Sequence, residues 1–84
     1  MAKKITKNIL EYTVVFEPAE EGGYVAYVPV LDNIATQGET FEETVENVKE
    51  AISGVVAVMN DEGLDIPREK PETFFTKVAV SAAI

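Results

Sequence analysis

One stretch decides the fold of this chain: residues 40–63, which read TFEETVENVKEAISGVVAVMNDEG. Its apolar residues recur at alternating spacings of four and three, the period of one helix face. They are Phe41, Val45, Val48, Ile52, Val55 and Met59. Thr40 followed by Glu43 fits a capping box at the start, and Gly63 suits the left-handed residue that closes a helix. The stretch therefore predicts one amphipathic helix.

The predicted helix is rich in valine, a mediocre helix former, so its stability depends on burying the apolar stripe against a sheet. Gly54 lies in its middle and costs about 1 kcal/mol relative to Ala. We interpret this glycine as permitting close approach to a strand or to a neighbouring subunit.

Three strands are predicted upstream of the helix. Residues 10–18 alternate with a period of two, which is typical of a strand. The glycine pair at 22–23 can take the positive φ of a hairpin turn, and a second strand is expected over residues 24–30. A short third strand is expected over residues 34–37, closed by Gly38.

Downstream of the helix the sequence predicts a loop and a last strand. Two prolines interrupt the loop at residues 64–72, and residues 74–81 then alternate as a strand does. The side chains expected to face inward are Phe74, Thr76, Val78 and Val80. The element order is therefore βββαβ, an α+β fold with a small, mainly antiparallel sheet and one helix packed on one face.

The length of 84 residues is enough for one domain, so residues 1–84 are expected to form a single one. Residues 1–8 lead into no apolar segment and are expected to be a flexible tail rather than a targeting signal. No apolar run approaches the roughly 20 residues of a membrane helix, and a cytoplasmic location is expected. No DNA-binding domain is expected in the chain.

The composition excludes most enzyme chemistry. The chain has no Cys and no His, so it lacks thiol and imidazole nucleophiles, bases and metal ligands. Ser53 and Ser81 have no base to activate them. We expect no catalytic residue, no metal and no cofactor, and we expect the protein not to be an enzyme.

The acidic charge is concentrated in the middle of the chain. The net charge is −8, and residues 11–69 hold fourteen acidic residues against two basic ones. This pattern argues against direct DNA binding, and it is the pattern that a protein docking onto a basic partner would show. The expected contacts cluster around the helix start: Asp32, Glu39, Glu42, Glu43 and Glu46. The alternative interpretation is that these residues form only a solvated face.

The second strand is apolar on both faces. Tyr24, Ala26 and Val28 share one face, while Val25 and Tyr27 occupy the other. Because one helix can cover only one face, we expect Val25 and Tyr27 to lie in an interface between copies of the chain.

A carboxylate-only metal site is a further alternative, since Mg²⁺ or Mn²⁺ would not require His or Cys. Its candidate ligands, near predicted strand or helix ends, are Glu17, Asp32, Glu39 and Asp61. Their positions in the sequence give no sign that the four carboxylates meet in space.

Three pieces of the sequence resemble the N-terminal domain of HicB-like antitoxins. They are YTVVFEP and EEGGYVAYVPV within residues 12–30, ATQGET at residues 35–40, and EETVENVKEAI at residues 42–52. The resemblance implies a partial RNase H-like βββαβ fold without that enzyme's catalytic carboxylates. It also implies an antitoxin that assembles as a dimer or a higher oligomer. Such an antitoxin binds and masks a small basic mRNA-cleaving toxin, HicA. One alternative is an oligomeric structural module with an unrelated partner. The other, which the RNase H likeness suggests, is a remnant nuclease that uses carboxylates and Mg²⁺ or Mn²⁺.

Overall fold

The computed structural model describes residues 9–84, and it is an α+β fold with one helix on a three-stranded sheet. Three strands precede the helix, as predicted. The predicted tail at residues 1–8 lies outside the described residues. The elements are β1 (Val15–Pro18), β2 (Tyr24–Val28), a 3₁₀ turn (Pro29–Leu31), β3 (Ile34–Gly38) and α1 (Phe41–Asp61).

The sheet is antiparallel throughout, in the order β1-β2-β3. The hairpin between β1 and β2 turns through Gly22 and Gly23, whose φ values of 100° and 77° confirm the predicted turn. Asp32 and Asn33 lead into β3 with φ of 54° and 57°, a region that Asn and Asp tolerate better than most residues.

The first two strands are shorter than the sequence pattern predicted. β2 ends at Val28 rather than at residue 30, because Pro29 has no amide hydrogen and opens the 3₁₀ turn. Val15 pairs with Tyr27 near that end, so the residues before Val15 have little partner strand left. β1 therefore begins at Val15 rather than at residue 10.

The core lies between the helix and one face of the sheet. Its apolar residues are Ala26, Val28, Leu31 and Val48, none more than 3% exposed. Five partly buried side chains pack against them: Tyr12, Val14, Phe16, Ile34 and Ile52. Thr44 is also fully buried, and its hydroxyl donates to the carbonyl of Thr40 at 2.6 Å. Because of that bond, the buried hydroxyl has a hydrogen-bond partner in place of the water it would otherwise contact.

Both predicted helix ends are confirmed. The Glu43 amide donates to the Thr40 hydroxyl oxygen at 3.0 Å, which satisfies one free amide of the first turn. At the other end Gly63 has a φ of 69°, and its amide donates to the Asn60 carbonyl. The Leu64 amide donates to the Met59 carbonyl at 2.9 Å. These two bonds form a Schellman motif.

The close approach between helix and sheet occurs at Gly38, whereas Gly54 was predicted to permit it. A Cβ on Gly54 would meet nothing within 4 Å, so the expected approach to a strand is wrong. A Cβ on Gly38 would lie 2.6 Å from the Thr44 hydroxyl oxygen and 2.8 Å from the Thr44 backbone nitrogen. The end of β3 therefore touches the first turn of the helix.

The strand predicted over residues 74–81 is not formed. After the helix the chain returns to the residues that precede β1, where Tyr12 donates to the Pro67 carbonyl and Thr13 donates to Glu69. A turn closed by the Thr73 amide and the Lys70 carbonyl follows, and beyond it the chain has no regular structure. A strand needs a hydrogen-bonding neighbour, and within residues 9–84 this segment has none.

The protein is accordingly longer than a compact domain of its size. The Cα radius of gyration is 16.5 Å, against about 12 Å for a compact chain of this length. Among residues 9–84, no helix has both the length and the apolar character needed to span a membrane.

Candidate functional site

Four of the five predicted partner contacts meet where β3 passes into the helix. Glu39, Glu42, Glu43 and Glu46 are all exposed there. Their positions follow from the Thr40 cap, which sets the direction of the first helical turn. Asp32 is also exposed, but it lies before β3, at the opposite end of that strand. The structure therefore separates Asp32 from the other four carboxylates.

The hairpin turn adds acidic residues that the sequence pattern did not single out. Tyr24 pairs with Gly38, so the tip of the β1–β2 hairpin stands beside the start of the helix. Between them lies an open groove of about 700 Å³. The carboxylates that line it are Glu20, Glu21, Glu39 and Glu43. The register of the hairpin is the signal that would have brought the first two into the site.

An aromatic group lies next to these carboxylates. The ring of Phe41, the first helical residue, packs at 4.8 Å from Phe16 and edge-on at 6.3 Å from Tyr24, measured between centroids. Phe41 remains 48% exposed. A partly exposed aromatic residue with a charged rim is the composition that protein interfaces favour. We call Phe41 and the carboxylates Glu20, Glu21, Glu39, Glu42, Glu43 and Glu46 the acidic-aromatic surface.

The acidic-aromatic surface keeps its negative charge. Lys49 lies 3.6 Å from Glu46, but both side chains are more than 60% exposed, so the pair contributes little. Glu42, Glu46 and Glu50 follow one another at spacings of four, and like charges at that spacing repel by a few tenths of a kcal/mol. A cationic partner would relieve this repulsion.

Val25 and Tyr27 lie on the face of the sheet that the helix does not cover. Both are half-buried, and the register places Glu17 and Gln37 beside Val25, and Val15 and Ala35 beside Tyr27. The Tyr27 hydroxyl donates to Glu17 at 3.5 Å. This outer face is therefore apolar at its centre and polar towards the hairpin.

The carboxylates considered as metal ligands do not converge. Glu17 lies on β1, Asp32 and Glu39 lie at opposite ends of β3, and Asp61 ends the helix. In the part of the chain that the structure describes, no group of three acidic residues is arranged to hold a metal ion.

The fold and surface define the class: a small α+β domain with one helix on an antiparallel sheet and an acidic surface that includes exposed aromatic area. UPF0150 protein ssr1765 of Synechocystis is 40% identical over 63 residues, 75% of this chain and 80% of that protein. UPF0150 protein Ta0767 of Thermoplasma acidophilum is 38% identical over 63 residues, 75% of this chain and 91% of that protein. The chain belongs to this UPF0150 family of HicB-like proteins.

A protein named as an antitoxin is also similar to most of this chain. Antitoxin HicB 1 of Photorhabdus laumondii is 36% identical over 67 residues, which is 80% of this chain and 43% of that antitoxin. The resemblance to HicB-like proteins is therefore confirmed. No protein-family model matches the chain, and no solved structure matches it.

Proposed function

We propose that this chain is a non-catalytic antitoxin that binds and masks a small, basic, mRNA-cleaving toxin of the HicA type. The observation that carries the proposal is the acidic-aromatic surface, where carboxylates from the hairpin and the helix line a groove with Tyr24, and Phe41 contacts Tyr24 edge-on. The similarity to Antitoxin HicB 1 supports the antitoxin class. The proposal places the protein in the cytoplasm, beside the mRNA that such a toxin cleaves.

The surface suits a protein that recognises a basic partner. Its carboxylates attract positive charge over a distance of about 10 Å at moderate ionic strength, which speeds encounter. The exposed part of Phe41 then supplies apolar area that only close contact buries. A toxin that binds RNA must itself be basic, so covering its basic surface also blocks the substrate. The net charge of −8 disfavours direct DNA binding by this chain.

The first experiment identifies the partner. The tagged protein is used to capture binding proteins from its native cell extract, and high salt is used to elute them. A small basic protein that elutes with salt, arrests growth when expressed alone and is neutralised by co-expression of this chain would establish the proposed function. An empty bait, with the protein folded by circular dichroism, would favour a structural module with an unrelated partner.

Charge reversal then tests the surface. We expect Glu42→Lys with Glu46→Lys to slow association with the toxin by on the order of tenfold at low salt. The matched control is Glu62→Lys with Asp65→Lys, which changes the net charge equally beyond the far end of the helix. Equal slowing by both pairs would show that only overall charge matters, and no slowing would show that Glu42 and Glu46 form a solvated face.

We also propose that copies of the chain associate through the outer face of the sheet. Val25 and Tyr27 form its apolar centre and remain only half-buried by their own chain. Val25→Asp should lower the molar mass measured by light scattering, whereas Ala57→Asp on the exposed side of the helix should not. An unchanged mass for Val25→Asp would show that copies do not associate through this face.

A further inference from the structure

The chain after the helix presents an exposed apolar segment with the pattern of a strand. The sequence of residues 74–81 alternates as a strand does, yet these residues form neither a strand nor a helix. Their large apolar side chains are mostly exposed: Phe74 83%, Phe75 71%, Val78 76% and Val80 81%. Apolar surface of this extent is usually covered by a partner, and an extended backbone needs hydrogen-bonding neighbours when it is buried.

The two edges of the sheet differ in how they are covered. On β3 the carbonyl of Gln37 accepts a hydrogen bond from the Asn47 side-chain amide at 2.8 Å, so the helix occupies part of that edge. β1 is the other edge, and within residues 9–84 no strand pairs with its outer side. An unpaired edge is a template for another strand, and β1 is the edge that remains available.

The segment does not continue along the β1 of its own chain. Glu69 accepts from the Thr13 amide at 3.0 Å, which holds the chain next to the start of β1. The turn at residues 70–73, which contains Pro71, follows immediately, and the segment beyond it leaves the sheet. The apolar segment is therefore exposed, and it does not pair with the β1 edge of its own chain.

We propose that residues 74–81 pair with the β1 edge of a second copy, while the second copy's segment pairs with the first. A second copy is the fitting partner because each chain carries both the unpaired segment and the unpaired edge. A two-fold axis satisfies both at once and closes the assembly. Charge agrees, since residues 73–84 contain one charged side chain, Lys77, and the one charged residue of β1 is the oppositely charged Glu17.

Light scattering on the full chain and on two variants tests the proposal. The wild type should show a mass above the 9.2 kDa of one chain. Val78→Pro removes an amide from the middle of the pairing segment and should lower that mass. Val78→Thr keeps the amide and the strand preference, so the wild-type mass should persist. Because Val78 is 76% exposed, neither change should alter the helix signal in circular dichroism.

A mixing experiment then shows which chain the segment contacts. The chain has no cysteine, so Glu17→Cys carries a single nitroxide label at β1. The nitroxide-labelled protein, made without nitrogen-15, is mixed with wild-type protein that carries nitrogen-15. Broadening of the labelled amides at residues 74–81 would show that the segment lies on β1 of another copy.

Three results would overturn the proposal. They are a monomer whose segment amides are protected from hydrogen exchange, a monomer whose segment amides exchange freely, and a dimer without broadening of those amides. The first would show pairing with the chain's own sheet, the second an unpaired segment, and the third assembly through another surface. None of them bears on toxin binding, so the antitoxin proposal stands or fails separately.

Discussion

Replacing Gly38 by alanine should destabilise the fold. Gly54 is the other glycine without a positive φ, and the same replacement there should not destabilise it. The new Cβ would lie 2.6 Å from the Thr44 hydroxyl oxygen, 2.8 Å from the Thr44 nitrogen and 3.0 Å from the Thr44 Cα. Two of these atoms belong to the helix backbone and cannot rotate away. Thr44 itself is fully buried, so the first turn of the helix must move off the sheet.

The size of the effect follows from that contact. Overpacking in a core costs about 1–3 kcal/mol, and a clash with backbone belongs at the upper end, about 2–3 kcal/mol. For a chain of this length that corresponds to a Tm lower by roughly 10–20 °C. The loss is a large share of the about 5 kcal/mol expected for a domain with so small a core.

Thermal and urea unfolding followed by circular dichroism measure the effect, and Gly54→Ala is the matched control. A Cβ at Gly54 meets nothing within 4 Å, so the same methyl addition should stabilise the helix by about 1 kcal/mol. The two variants therefore move the free energy of unfolding in opposite directions. A Gly38→Ala protein within about 0.5 kcal/mol of the wild type, a typical neutral range, would refute the proposed close approach.

Three further substitutions test local contacts. Thr40→Ala removes the cap of the Glu43 amide and should cost about 1 kcal/mol in urea unfolding; Thr40→Ser should restore most of it, and an equally unstable Ser variant would contradict the cap. Glu69→Ala removes the acceptor of the Thr13 amide and hydroxyl and should cost about 1–3 kcal/mol. It should also speed hydrogen exchange at residue 13, whereas unchanged exchange would show that the return of the chain to β1 does not depend on this carboxylate. Asn47→Ala frees a carbonyl at the edge of β3 and should cost about 1 kcal/mol, while Asn47→Asp, which cannot donate there, should cost at least as much.

The features that the sequence alone predicted correctly are those made by residues close together in the chain. The Thr40 cap and the Gly63 end depend on bonds between residues three to five positions apart. The turn at Gly22 and Gly23 needs only the positive φ that glycine adopts readily. The family could also be identified from the sequence, because the similarity to ssr1765 covers 75% of the chain.

What only the tertiary structure decided involves residues that are distant in the sequence. Glu20 and Glu21 join Glu39 and Glu43 because the hairpin register brings its turn to the helix start, and composition carries no record of register. Residues 74–81 have a strand pattern, but a strand forms only beside a free neighbour, and the anchor between Thr13 and Glu69 spans 56 positions. Hydrogen bonds between residues close in sequence determine where the turn and the helix ends lie. Pairing between distant residues determines which carboxylates share a surface and leaves residues 74–81 without a strand partner.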